Sequence, residues 1–121
     1  MKIPGPDHPI AIAPCPDHVR VRFNGQVIAD TRRALVLREA SYRPVYYIPR
    51  EDAQMALLEP TRHTTMCPYK GDATYYSIHA GGRAAENAIW SYETPYDAVS
   101  EIAGCLAFYP NRVDAIEVEP A

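Results

Sequence analysis

Twelve prolines in 121 residues restrict this chain more than any other feature. Proline lacks a backbone N–H and holds φ near one value, so it ends helices and is excluded from central strands. Usage at about twice the average therefore implies many short elements and turns, and favours an all-β chain over an all-α one. Five of the prolines, at positions 4, 6, 9, 14 and 16, fall in residues 1–18. That density predicts an extended arm laid along the body and anchored by Ile10 and Ile12, with a disordered tail as the alternative. Residues 19–121 are then a single β domain, a normal size for one hydrophobic core.

Period-two patterning supports this class. Val19-Arg20-Val21-Arg22-Phe23 alternates apolar and charged residues, the signature of a half-buried strand. Asn24-Gly25 follows and predicts a two-residue hairpin turn with positive φ at both positions, returning along Gln26 to Asp30. Ala34 to Glu39 carries apolar residues on both faces and reads as a strand buried on both sides, ending in Glu39. Further strands are expected at Val45 to Ile48, Ala73 to His79 and Glu86 to Tyr92, the last with Ala88, Trp90 and Tyr92 on one face. A closing hairpin of Leu106 to Tyr109 and Val113 to Val118 turns on Pro110-Asn111. Two short helices are expected, one from Glu51 to Leu58 before Pro60, the other from an N-cap at Thr94 to a stop at Gly104. About eight strands with no βαβ spacing make a mainly antiparallel, compact fold, barrel-like or a bent sandwich.

The charge balance excludes some functions. A formal net charge of -3 with scattered arginines leaves no basic footprint for nucleic acid. No apolar run reaches the ~20 residues of a membrane-spanning helix, and Met1 to Pro6 lacks the apolar core of a secretion signal. Three cysteines without close pairing suit reduced thiols, and so a cytoplasmic protein.

The chemistry concentrates in Thr64-Thr65-Met66-Cys67-Pro68-Tyr69-Lys70-Gly71-Asp72-Ala73-Thr74-Tyr75-Tyr76, which combines a thiol, an amine, phenols and a turn. Lys70, and Arg62 or His63, could lower the pKa of Cys67 and make it a nucleophile; an inert thiol in a tight turn is the plainer reading. Lys70-Gly71 suits an anion or carbonyl contact, although the full phosphate loop is absent. No set of three or four ligands converges for a metal, so no metal or cofactor is expected. Tyr46, Tyr47, Tyr69, Tyr75, Tyr76, Trp90 and Tyr92 are more aromatics than a small core requires, and some should line a cleft.

Leu35-Val36-Leu37-Arg38-Glu39, Tyr47-Ile48-Pro49-Arg50-Glu51-Asp52, the Thr65-to-Tyr76 block, Ala88-Ile89-Trp90-Ser91-Tyr92 and Leu106-Ala107-Phe108-Tyr109-Pro110 resemble domain of unknown function 427. The resemblance runs from about His8 to Val118. It implies a compact β structure related to the β-tent topology of methionine sulfoxide reductase B and the drug-binding domain of cereblon. It also implies a bacterial or fungal source. Those β-tent relatives carry zinc on paired Cys-x-x-Cys motifs, which this sequence lacks. A nucleotidyltransferase-like label has been attached to the family, but that reaction needs clustered acids for Mg²⁺ and no Asp-x-Asp occurs.

Three functions are therefore expected in competition. The first is binding of a small anionic or carbonyl-bearing ligand over the Cys67-to-Gly71 turn, contacted by Tyr47, Arg50, Tyr69, Lys70, Tyr76 and Trp90. The second is an enzyme with Cys67 or Lys70 as nucleophile and Glu39 or Glu93 as proton-transfer partner. The third is a structural domain whose aromatics form a homo-oligomer interface, a homodimer being the simplest case.

Overall fold

The computed structural model describes residues 1–121 and contains ten strands in three antiparallel sheets. Strands β1 (Ile10–Cys15), β4 (Ala34–Glu39) and β5 (Val45–Tyr47) form one sheet in the order β1-β4-β5. Strands β2 (His18–Phe23), β3 (Gln26–Thr31) and β10 (Ala115–Glu119) form a second, ordered β10-β2-β3. The third runs β6-β7-β8-β9, from β6 (Leu58–Cys67), β7 (Gly71–Ala80), β8 (Arg83–Ser91) and β9 (Ala107–Phe108). The mainly antiparallel class is as the sequence indicates, but the sheets do not close into a barrel.

Proline placement explains part of the architecture. The sequence shows no strand before Val19, yet Ile10 to Cys15 pair residue for residue with β4. Pro14 is tolerated because β1 is an edge strand, where the missing N–H faces outward. Asn24 (φ 50°) and Gly25 (φ 76°) make the expected hairpin turn between β2 and β3. The two expected short helices are 3₁₀ turns, at Arg50–Asp52, Met55–Leu57 and Asp97–Ile102. Between Pro49 and Pro60 the chain is too short to offset the cost of helix nucleation. In the last segment Thr94 is not the cap: Tyr96 stands there without a side-chain cap bond, and Val99 breaks the helical geometry (φ −128°, ψ 28°). Gly104 ends this segment at φ 71°.

The core has two parts, and β4 separates them. Val36 packs in the larger cluster with Val19, Val21, Phe23 and Ile28, while Leu37 packs in the smaller with Tyr47, Tyr75 and Val99. Consecutive residues on β7 divide likewise: Tyr76 belongs to the larger cluster and Tyr75 to the smaller. The reason is the side-chain alternation of a strand with apolar material on both sides.

Strand pairing departs from a simple meander at two places. Pairing across Gly81-Gly82 starts at Ala80↔Arg83 and Ile78↔Ala85, but Tyr76 pairs with Ile89 and Tyr75 with Trp90. A bulge at Asn87 (φ 48°), whose N–H donates to Ser77 Oγ at 3.0 Å, inserts the extra residues. Ala88 consequently joins the larger cluster while Trp90 packs against the smaller, so the two do not share a face. The closing hairpin does not form either. β9 pairs with β8 and β10 with β2, because Tyr109 N–H donates to Ala88 O (2.9 Å) and Asp114 N–H to Arg22 O (2.9 Å), drawing the chain from one sheet to another.

Candidate functional site

A cavity of about 240 Å³ opens where β4, β5, β7 and β8 meet the turn before β7. Its polar end is Glu39, the last residue of β4, and Lys70, which precedes β7. They are 31 residues apart in sequence and are 8 % and 7 % exposed. Lys70 Nζ donates to Glu39 Oε1, and His8 Nε2 pairs with Glu39 Oε2 at 2.6 Å. Both carboxylate oxygens are thus engaged. Burial pushes the Glu39 carboxyl up, but the hydrogen bonds from Lys70 and His8 outweigh it and hold the group below its ordinary value. His8 is itself stacked on Tyr69, ring centroids 4.0 Å apart.

Aromatic side chains form the walls. Tyr47, Tyr75, Trp90, Tyr92 and Tyr109 line the cavity with Leu37 and Val45. Trp90 Nε1 donates to Tyr47 Oη at 3.3 Å, and the Trp90 and Tyr109 rings lie 4.5 Å apart. Tyr75 Oη is bonded to Thr65 Oγ1 (3.0 Å) and to Tyr109 Oη (3.2 Å). Tyr92 Oη makes no hydrogen bond to the protein and is not sealed from the cavity. Burial drives the phenols of Tyr47 and Tyr92 far above their ordinary value and pushes Tyr109 up to about 12. All three stay protonated at neutral pH. Tyr42 and Arg43, exposed on the loop after β4, stand at the mouth. Ala40 on that loop has φ 48°, an unfavourable conformation for alanine, held by its N–H bond to Pro9 O (2.8 Å).

The residues singled out from sequence separate into groups. Glu39, Tyr47, Lys70 and Trp90 line one cavity. Cys67, at the end of β6, is half-buried and packs against the smaller cluster without lining it. Its thiol is close enough to bear on the ionisation of Tyr47 and Tyr92. Arg50, Tyr76 and Glu93 form a separate network: Arg50 donates to Tyr76 Oη (2.8 Å), to both Glu93 carboxylate oxygens (3.0 and 3.1 Å) and to Gly104 O (3.1 Å). Tyr69 lies outside, against the N-terminal segment, where Lys2 N–H donates to Pro68 O (2.7 Å). No group of three or more His, Cys, Asp or Glu side chains is placed to hold a metal ion. No helix is long and apolar enough to cross a membrane.

Sequence reasoning missed His8, Tyr42, Arg43 and Tyr109. Tyr109 was legible as an aromatic on the last predicted hairpin, but its inward placement depends on β9 joining β8. His8 had no local signal, since its partner lies 31 residues away.

The model of the family described as Domain of unknown function (DUF427) matches residues 11–119, nearly the whole chain. The chain belongs to this family. No curated protein matches it.

Proposed function

We propose that this DUF427 chain binds a small ligand bearing a carboxylate or carbonyl group, and that the aromatic-walled cavity is its site. The observation that carries this reading is the buried Lys70–Glu39 pair at the end of a chamber whose remaining polar groups, phenol hydroxyls, the Trp90 N–H and the Arg43 guanidinium, can all donate. The charge balance at that end favours an acceptor. Glu39 has a donor on each oxygen, Lys70 on one and His8 on the other, so its charge is already matched within the protein and attracts an entering cation less than a bare carboxylate would. Lys70 has N–H groups beyond the one given to Glu39, Tyr92 has a free hydroxyl, and Arg43 stands exposed at the mouth. An apolar chamber with a few convergent polar groups is the usual construction of a small-molecule site. Nucleophilic catalysis has less support: the Cys67 thiol does not line the chamber, and the Lys70 ammonium is engaged with a carboxylate.

The chain has a single tryptophan, in the chamber wall, so its fluorescence reports occupancy directly. Benzoate should give a saturable change and benzylammonium should not. Tyr92→Phe should weaken benzoate about tenfold or more, the value of one hydrogen bond to a charged group. A saturable response to benzylammonium alone, or to neither probe, would refute the assignment.

A further inference from the structure

The chamber is not isolated. A second cavity of about 420 Å³ shares three of its lining residues, Arg43, Val45 and Trp90. The chemistry changes across that shared rim. On the chamber side are an ion pair and phenols; on the other side the lining is Pro44, Tyr46, Phe108, Pro110 and Ile116, with no acid among them. Arg43 is the only charged side chain of the second cavity, and it stands on the rim itself.

Size points the same way. Ligand pockets usually span about 300–1,000 Å³. At about 240 Å³ the chamber falls short of that range by itself, and with the neighbouring groove it falls within it. The groove also has a structural origin: β9 pairs with β8 while β10 leaves for another sheet, so Phe108 and Pro110 diverge from Ile116 rather than closing on it as a hairpin.

From this shared lining we infer that the ligand is a single-chain amphiphile, with its carboxylate or carbonyl head in the chamber and an apolar tail laid over the Arg43–Trp90 rim into the groove. The inference rests on the proposed function and adds to it the class of ligand. Head and tail are assigned by complementarity. The groove's side chains offer a polar group only Arg43 and Trp90 at the rim and the Tyr46 hydroxyl, with no buried ion pair, and the chamber has little room for the tail. Arg43, long and exposed, can cover the junction once the tail is in place.

The test is a homologous series of straight-chain carboxylates from propionate to decanoate, each kept below its micelle-forming concentration and followed by Trp90 fluorescence. Burying a methylene is worth up to roughly fourfold in affinity, so a gain of at least about twofold per methylene is expected beyond the shortest acids. Pro110→Glu, at an exposed position, should flatten that gain and leave benzoate binding unchanged. Ile116→Ser should do the same at the groove's opposite wall. If short acids and benzoate bind but affinity does not rise with length, the amphiphile is wrong and the chamber assignment stands. A rise with length that survives both variants would place the tail elsewhere and overturn the inference. If no carboxylate of any length binds, both readings fail together.

Discussion

Replacing Lys70 with methionine tests the central claim about the site, that it is built on a buried ion pair. Methionine keeps most of the unbranched stem and removes the charge. Glu39 would then be 8 % exposed in its present setting, with only His8 to offset its burial. Breaking a buried pair from one side costs about 3–5 kcal/mol. The surviving His8 bond places this case at the low end, about 3 kcal/mol, which for a chain of this length lowers the melting temperature by roughly 10 °C. Urea denaturation at neutral pH, with an unchanged slope, is the measurement. Adding Glu39→Gln should restore part of the loss, giving a coupling of about 2 kcal/mol in the double-mutant cycle. The pH dependence has a definite sign. The folded-state pKa of Glu39 is lowered, so its contribution is present above the ordinary value near 4.5 and is lost as pH falls through the lower folded value. In Lys70→Met the burial is no longer offset by the ammonium, so the deficit should shrink as the medium is acidified and Glu39 takes up a proton. A loss below about 1 kcal/mol, the range of exposed pairs, would refute the reasoning.

Two further predictions concern backbone and phenols. Gly25→Val should destabilise by more than about 1 kcal/mol from its positive φ alone, since no atom would crowd the added Cβ. At Gly81 the added Cβ would lie 2.5 Å from Asn24 Nδ2, which donates to Ala80 O, so Gly81→Ala should cost about 1–3 kcal/mol; unchanged denaturation midpoints would show that these turns differ from the structure. In an alkaline titration of the nine tyrosines, Tyr47, Tyr92 and Tyr109 should ionise after the rest or only on unfolding. Their folded pKa values are raised, so the protonated state favours the fold, and stability should fall as pH rises past 10.0, the ordinary value of the phenol. Ionisation of all nine in one step, with the fold intact, would contradict the buried placement.

Much of the fold is local and was readable as such. The β2–β3 hairpin follows from alternation and from Asn24-Gly25, because both the face a side chain takes and the sign of φ are decided within a few residues. The doubly buried β4 follows from its unbroken apolar run, and its terminal Glu39 stood out as a charge at the end of a buried strand. Lys70 and Trp90 could be named as site candidates from residue type alone. Both line the cavity, but the register that brings them there could not be read, since the bulge at Asn87 shifts β8 and sets Trp90 opposite Tyr75. Composition indicated short elements, yet Pro14 did not keep Ile10 to Cys15 out of a sheet, because an edge strand has no need of the missing N–H. What only the tertiary structure decided is the partner of each charge. His8, Glu39 and Lys70 belong to three segments with no pattern linking them, and Arg50 turns to Tyr76 and Glu93. Periodicity fixes which face a side chain occupies. Which charge waits on the facing segment depends on how the sheets stack, and that is set by the whole chain at once.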